Sequence, residues 1–179
     1  MAQPSFASRI VQWQREHGRH QLPWQQTSDP YRVWLSEIML QQTQVSTVID
    51  YYHRFTARFA SVQDLADASE DEVLSLWAGL GYYARARNMH ACAQKVAHDW
   101  HGQFPPDAAT LQTLPGIGPS TAAAIAAFCY GQRVAILDGN VKRVLTRQFA
   151  IDQDITKTAT DAKLWALAQS LVPSTSLVK

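Results

Sequence analysis

The sequence of 179 residues is poor in the features that would place it outside the ordinary globular proteins. Its two cysteines, Cys92 and Cys129, argue against a disulfide scaffold and exclude a metal site built from cysteines of this chain alone. No apolar run approaches the ~20 residues that cross a bilayer, and the N-terminus has no signal-peptide pattern. We therefore expect a cytoplasmic protein without a membrane partner. An apolar content of 46% argues against disorder.

The chain also lacks a large net charge. Its 16 basic and 15 acidic residues give +1, which excludes a generally basic nucleic-acid surface. The charges are nevertheless segregated, because segment 61–72 has five acidic residues and no basic one, whereas segments 82–95 and 131–147 are mainly basic. This pattern indicates a polarised surface. For each segment alone, an ordinary solvated face is the alternative.

Proline and glycine divide the sequence into helices. Apolar spacing predicts a first helix that Gly18 ends, and Asp29 followed by Pro30 predicts the start of a helix that runs to Leu40. No segment alternates convincingly with period two, although 133–137 could be briefly extended, so we predict an all-α chain. Further helices are predicted after the capping pairs Ser61/Asp64 and Ser69/Glu72, and over about 83–100, 107–113, 120–130, 140–150 and 160–172.

The most informative local element is LPGIGPSTAAAIAAF, residues 114–128. A short helix, a glycine turn and a second helix of small residues predict a helix–hairpin–helix. The N–H groups at Gly116 and Gly118, with the N-terminus of the next helix, favour a phosphate. Such a hairpin would hold the DNA backbone without recognising base sequence. The alternative is that the glycine turn is only a packing device.

Two carboxylates suggest a chemistry. Glu37 has apolar neighbours in WLSEIMLQQTQV, and Asp138 precedes a helix in AILDGNVKRVL. Taken singly, Glu37 could be the edge of an amphipathic helix and Asp138 a helix cap. Together they match glycoside hydrolysis, in which a carboxyl with a raised pKa donates a proton and a carboxylate stabilises the cationic sugar. Sequence spacing leaves their distance open.

Five segments resemble the adenine DNA glycosylases of the MutY type, members of the helix–hairpin–helix glycosylase superfamily related to endonuclease III. The resemblance covers essentially the whole chain, and MLQQTQV together with DGNV is its most specific part. The five segments are LPW (22–24), DPYRVWLSEIMLQQTQVSTVIDYY (29–52), LWAGLGYYARARNMH (76–90), LPGIGPSTAAAI (114–125) and ILDGNVKRVLTR (136–147).

The resemblance implies a monomeric enzyme of base excision repair, associated with the nucleoid, that removes adenine mispaired with 8-oxoguanine or guanine in double-stranded DNA. Glu37 corresponds to the general acid that protonates adenine and later helps water attack. Asp138 corresponds to the carboxylate that stabilises the sugar, and Asn140 would help to orient the site.

The resemblance also places residues around the substrate. Gln42 and Tyr82 match residues that wedge into the duplex, with Leu40 nearby, and Leu22 and Trp24 match the wall of the adenine pocket. For Gln42 and Tyr82 alone, a polar surface residue and a core aromatic residue are the alternatives. The expected contacts to the DNA backbone are Gly116, Gly118, Arg85, Arg87, Lys142 and Arg143.

Ser120 occupies the position at which endonuclease III-type enzymes have a lysine that forms a Schiff base and then cuts the strand. A hydroxyl cannot form that imine, so the resemblance implies a monofunctional glycosylase. Some relatives have a tyrosine here, which implies a weaker or absent adenine contact by Ser120.

The resemblance implies a six-helix barrel lobe over about 25–132 and an incomplete second helical lobe from about 1–24 and 133–179. The family's 4Fe-4S cluster is held by four cysteines in a C-x6-C-x2-C-x5-C run. This chain ends before that run, and Cys92 and Cys129 are not its ligands. We therefore expect a catalytic domain truncated before the cluster, a fragment rather than a natural short form, with no metal site. An inactive DNA-binding fragment and an endonuclease III-like glycosylase/lyase are the alternatives.

Overall fold

Ten α-helices and one 3-10 helix make up the regular structure of residues 5–173, the part of the chain that the computed structural model describes. No strand occurs in these residues, so the all-α prediction is confirmed. The helices are α1 Phe6–His17, α2 Pro30–Leu40, α3 Val45–Arg58, α4 Val62–Asp67, α5 Glu70–Trp77, α6 Ala84–Asp99, α7 Ala108–Leu111, α8 Pro119–Tyr130, α9 Gly139–Gln148 and α10 Thr158–Leu171, with the 3-10 helix at Pro23–Gln25 between α1 and α2.

Side-chain caps start helices where the sequence predicts them. The Asp29 carboxylate accepts a hydrogen bond from the Tyr31 N–H at 3.0 Å, with Pro30 at the first helical position of α2. Ser61 and Asp64 form a complete capping box at the start of α4, in which each side chain accepts from the other residue's N–H. These caps satisfy N–H groups that a helix leaves free in its first turn.

The second predicted capping box forms only by half. The Ser69 hydroxyl accepts from the Glu72 N–H at 3.2 Å and starts α5. The Glu72 carboxylate instead binds the Arg58 guanidinium of α3, with Nη2 at 2.5 Å. Glu70 likewise lies 3.4 Å from Arg87 of α6. The acidic segment 61–72 is therefore partly paired with basic residues from neighbouring helices.

The sequence does not predict α3, and the residues at its start explain why. Gln44 at the N-cap makes no side-chain capping bond, and the helix opens with a β-branched run that favours strands. The signal that could have identified it is the spacing of Val48, Tyr52 and Phe55, all of which are buried. Packing of that apolar stripe overrides the weak local propensity. Segment 133–137 is extended backbone without a strand partner.

Two separate clusters of buried apolar side chains form the core. The larger one is built by α2 to α8 around large side chains such as Trp34, Phe55 and Trp77. The smaller one contains Leu145 of α9 and Leu164 of α10, and Phe6 of α1 packs against it. Helix α2 lies at the centre of the larger cluster, where it contacts α3, α6, α8 and the 3-10 helix. Among residues 5–173, no helix has the length and hydropathy needed to cross a membrane.

The helix–hairpin–helix forms from α7, a turn over residues 112–118, and α8. The Ile117 N–H donates to the Leu114 carbonyl at 3.2 Å. Gly116 has φ +73, and a Cβ at this position would lie 2.9 Å from the Asn88 Cβ of α6. Only glycine meets both constraints without strain, because it has no Cβ and adopts positive φ freely. Gly118, the N-cap of α8, has an ordinary φ of −85 and open space around it.

We expect Gly116→Ala to destabilise the chain by about 1–3 kcal/mol, because alanine would combine a left-handed backbone with the close approach of Asn88. Gly118→Ala is the matched control in the same turn, with an expected loss of about 1 kcal/mol or less. Urea unfolding of the two variants and the wild type measures this difference. Equal losses in both variants would contradict the argument.

Candidate active site

Burial of α2 determines the environment of Glu37. Seven residues of this helix are buried, among them both neighbours of Glu37, Ser36 and Ile38. The Glu37 side chain is itself largely shielded, and no hydrogen bond or ion pair reaches its carboxylate from residues 5–173. A carboxylate in such a place has lost water without gaining donors, so its charged form is disfavoured.

The pKa of Glu37 rises from its usual 4.5 to about 7. Loss of solvent through burial is the main cause, and the negative charge of Asp138 raises the pKa further. The carboxylate of Asp138 is therefore near enough to act on Glu37, although residues 37 and 138 are 101 positions apart in the sequence. At neutral pH, Glu37 is poised between its protonated and charged forms.

Asp138 caps a helix and also acts electrostatically on Glu37. It is the N-cap of α9, and its Oδ1 accepts from the Val141 N–H at 2.8 Å. The cap uses only this oxygen, and the side chain is exposed. The cap and the electrostatic contact with Glu37 are therefore compatible.

A cavity of about 380 Å³ opens beside Glu37. Trp24 of the 3-10 helix lines it, so the structure brings Trp24 and Glu37 together at one cavity. Its volume is within the range of small-ligand sites. The amide oxygen of Gln14 is buried there and accepts no hydrogen bond from residues 5–173. Further lining residues that the sequence did not single out are Gln14, Val33, Ser36 and Phe128.

Four other predicted site residues do not line this cavity. Leu22 and Leu40 are partly buried and pack against the larger apolar cluster. Ser120 is in the first turn of α8, which packs on α2, and is partly buried. Asn140 is exposed in the first turn of α9, where it lines a separate, apolar groove of about 450 Å³.

Gln42 and Tyr82 share an uncommon backbone conformation. Both have positive φ, +57 for Gln42 and +49 for Tyr82, although neither is glycine. Both side chains are exposed, and Tyr82 retains 64% of its surface. An exposed tyrosine differs from the core aromatic residue that was the alternative for this position. Non-glycine residues held in this conformation concentrate at functional sites.

The predicted basic residues differ in their partners. Arg143 is exposed on α9, and Arg87 is exposed and lies near Glu70. Lys142 forms an ion pair with Asp161 of α10. The sequence predicts a phosphate contact for Arg85. In the structure, the Arg85 guanidinium instead binds backbone carbonyls of the protein itself. Exposed ion pairs are weak and can be exchanged for a phosphate, whereas a guanidinium bound to several carbonyls is far less available.

The residues of this chain do not fit the 4Fe-4S cluster of the longer family members. The cluster needs four thiolates, and the chain has two cysteines, on α6 and α8. Burial raises the pKa of Cys92 to about 12, which disfavours the thiolate that a metal requires. In residues 5–173, no three His, Cys, Asp or Glu side chains form a group able to hold a metal ion.

The fold is all-α and contains a helix–hairpin–helix. The desolvated carboxyl of Glu37 beside a cavity is a candidate acid–base site. The family model described as HhH-GPD superfamily base excision DNA repair protein matches residues 35–170. The chain belongs to this superfamily.

Known proteins show the same relationship. The adenine DNA glycosylase of Buchnera aphidicola subsp. Baizongia pistaciae is 46% identical over 168 residues, which cover 94% of this chain and 47% of that protein. The chain thus spans less than half of that relative's length. The structure of a thermostable thymine-DNA glycosylase matches with a TM-score of 0.85 and 29% identity, over 95% of this chain and 78% of that one.

A trapped endonuclease III–DNA covalent intermediate matches with a TM-score of 0.68 and 19% identity, over 94% of this chain and 85% of that one. At this identity the match shows the fold alone. The predicted helix–hairpin–helix glycosylase fold is confirmed.

We expect Glu37→Gln to remove a loss of stability that the wild type shows as the pH rises. Because folding raises the pKa of Glu37 from 4.5 to about 7, the folded state binds more protons than the unfolded state between these values. The free energy of unfolding therefore falls as the pH rises through this range, by about 3 kcal/mol in total. The glutamine variant should lack this fall. Urea unfolding at several pH values between about 4.5 and 8 measures it.

Glu16→Gln on α1 is the control for this experiment, because Glu16 is exposed and lies outside the cavity. Its stability curve should run parallel to that of the wild type across the pH range. If the Glu37→Gln curve is also parallel, Glu37 is not desolvated as described.

Proposed function

We propose that the chain is the catalytic part of an adenine-specific DNA glycosylase of base excision repair, which hydrolyses the N-glycosidic bond of adenine mispaired with 8-oxoguanine or guanine. The observation that carries this proposal is the buried Glu37 carboxyl, whose pKa of about 7 is raised by burial and by Asp138. The 46% identity to a protein named an adenine DNA glycosylase supports adenine as the base.

Glu37 begins the reaction as the general acid. In its protonated form, it donates its proton to the adenine ring, so that the C1′–N bond can break with its electron pair leaving on the base. Adenine then departs as a neutral molecule rather than as an anion. At neutral pH, a carboxyl with a pKa near 7 is protonated in about half of the molecules, and it is acidic enough to transfer that proton.

Asp138 acts on the sugar that remains. Loss of the base gives C1′ a cationic, oxocarbenium-like character, and the Asp138 carboxylate stabilises that charge. Its cap on α9 fixes the carboxylate through Oδ1 while the side chain remains exposed to the substrate. Glu37, now charged, accepts a proton from the water that attacks C1′, which returns Glu37 to its protonated form and leaves an abasic site.

Ser120 limits the reaction to hydrolysis. Strand cleavage by a Schiff-base mechanism needs an amine that attacks C1′ and forms an imine, and a hydroxyl lacks the nitrogen. The chain is therefore a monofunctional glycosylase, with Asn140 helping to orient the sugar.

The base must leave the duplex to reach this site, because the target atoms are stacked inside it. The cavity beside Glu37 receives the flipped adenine, with the ring of Trp24 as an aromatic wall. Leu22 packs against the same apolar cluster as Trp24 and supports that wall. Gln42 and Tyr82 wedge into the space that the base leaves, next to Leu40. Both are exposed, as a wedge requires.

Double-stranded DNA lies across the turn of the hairpin. The N–H groups at Gly116 and Gly118 bind backbone phosphate, and the exposed Arg87 and Arg143 add positive charge. Lys142 joins them by exchanging Asp161 for phosphate. We infer that this surface lies between two lobes, about 25–132 and about 1–24 with 133–179. The separation of the two apolar clusters supports two lobes, with Leu22, Trp24 and Val134 at the boundary because they pack with the larger cluster.

Glu37→Gln should lower the single-turnover rate of adenine release from a duplex with adenine opposite 8-oxoguanine by about 10²–10⁴-fold, because the glutamine amide is not acidic enough to protonate adenine. Asp138→Asn should cause a comparable loss through the uncompensated charge at C1′. Glu16→Gln is the matched control and should release adenine at the wild-type rate. No strand break should appear before alkali treatment.

Other outcomes of this assay identify the alternatives. Salt-sensitive binding of the duplex without any release would indicate an inactive DNA-binding fragment. Strand cleavage without alkali would indicate a glycosylase/lyase. Release of thymine or uracil but not adenine would place the chain with the thymine-DNA glycosylase that it resembles in structure.

The rate of adenine release should fall as the pH rises above 7, because the reactive form of Glu37 is the protonated one. The decline should approach about tenfold per pH unit well above the pKa. Single-turnover rates across pH at constant ionic strength measure this profile. The residual activity of Glu37→Gln should not show the decline, and an identical profile in that variant would assign it to another group.

A further inference from the structure

Arg85 occupies a position between two loops that carry the predicted wedge residues. It lies in the first turn of α6 and is partly buried. The first loop, residues 41–44, joins α2 to α3 and contains Gln42. The second loop, residues 78–83, joins α5 to α6 and contains Tyr82. We call these two segments the wedge loops.

The guanidinium of Arg85 binds the first wedge loop and the end of α2. Its Nη1 donates to the Ile38 carbonyl at 3.0 Å, to the Met39 carbonyl at 3.1 Å and to the Gln41 carbonyl. Its Nη2 donates to the Thr43 hydroxyl at 3.2 Å. The last carbonyls of a helix have no partner within the helix, and a cation is favoured there.

The same guanidinium binds the second wedge loop. Nη2 donates to the Leu80 carbonyl at 3.2 Å and lies 3.4 Å from the Gly81 carbonyl. The backbone N–H of Arg85 also donates to the Tyr82 carbonyl, at 2.9 Å. The guanidinium carbon lies 5.2 Å from the centre of the Trp77 ring and 5.5 Å from that of Tyr82, within cation–π distance. One side chain thus connects both loops.

These contacts flank Gln42 and Tyr82, two of the four non-glycine residues with positive φ among residues 5–173. Gln41 and Thr43 are the chain neighbours of Gln42, and Gly81 immediately precedes Tyr82. A left-handed backbone costs free energy at a residue other than glycine, so surrounding contacts must maintain it. Arg85 supplies such contacts on both sides of Gln42 and beside Tyr82. The rigid, planar fork of arginine can bind several carbonyls at once, which the compact ammonium of lysine cannot do.

We propose that Arg85 is a positioning residue for base flipping, which holds the two wedge loops in the arrangement that lets Gln42 and Tyr82 enter the duplex. This inference rests on the proposed function. The positioning role takes the place of the phosphate contact that the sequence predicts for Arg85. The Nη donors already bind protein acceptors, and Nε is buried. Burial also lowers the pKa of Arg85, but a guanidinium stays charged in proteins.

The test compares Arg85→Met, Arg85→Lys and Arg87→Met in the full chain. Duplex binding is measured against salt concentration. Base flipping is followed by the fluorescence of 2-aminopurine placed at the mispaired adenine, and adenine release is measured under single turnover. Both Arg85 variants should lose flipping fluorescence and release adenine about 10- to 100-fold more slowly, as small displacements in a site do. Their salt dependence of binding should match that of the wild type.

Arg87→Met shows what loss of a phosphate contact looks like. It should reduce the slope of log affinity against log salt by about one while the flipping of bound duplex stays normal. If Arg85→Met behaves in this way and Arg85→Lys restores binding, Arg85 is a phosphate contact and the proposal is wrong. Wild-type flipping and release in Arg85→Met would equally overturn it.

Gln42→Ala provides a coupling test. If Arg85 acts through Gln42, the losses in flipping caused by Arg85→Met and Gln42→Ala should not add in the double variant. Additive losses would contradict the proposal.

Thr43→Val covers the case in which the Arg85 variants do not fold, as judged by circular dichroism. It removes one acceptor and leaves the arginine in place, and it should reduce flipping several-fold without changing the salt dependence. Unchanged flipping in this variant would count against the proposal. A wild-type chain that neither binds duplex nor releases adenine would instead overturn the proposed function itself.

Discussion

The desolvation of one carboxyl group on α2 is the constraint on which the site depends. This helix is surrounded by α3, α6, α8 and the 3-10 helix, and Glu37 is held in that environment without a hydrogen-bond donor from residues 5–173. If α2 lay on the protein surface, water would solvate Glu37 and the residue would be an ordinary charged glutamate. The raised pKa of Glu37 therefore comes from the packing of α2 among its neighbours, and the sequence motif around Glu37 would not produce it alone.

The second carboxyl group comes from a different part of the core. Glu37 belongs to the helices around the larger apolar cluster, whereas Asp138 starts α9, which packs in the smaller one. The influence of Asp138 on the pKa of Glu37 thus depends on how the two clusters are held together. In this structure, the Lys142–Asp161 ion pair connects α9, the helix that presents Asp138, to α10. Stability and acid strength are linked through the same interfaces.

Much of this arrangement can be predicted from local sequence, and the reason is physical. Asp29 with Pro30, Ser61 with Asp64 and the glycine turn at 116–118 act within a few residues, so their geometry follows from their spacing. Helix α3 could not be predicted in this way, because its β-branched start opposes the helix and distant packing decides the outcome. The Gln14 and Phe128 walls of the cavity come from α1 and α8, and no local signal connects them with Glu37.

Arg85 shows most clearly where sequence reasoning is insufficient. In the printed sequence, it belongs to a basic run, and a basic run beside a DNA-binding hairpin suggests phosphate. Its actual partners are carbonyls up to 47 positions away, and only the fold brings them to one guanidinium. An arginine that binds the ends of two loops supports backbone conformations that Gln42 and Tyr82 would otherwise leave. A basic residue in a DNA-binding protein can therefore bind either phosphate or the protein's own backbone. The carbonyls around the residue, rather than its charge, determine which of the two it binds.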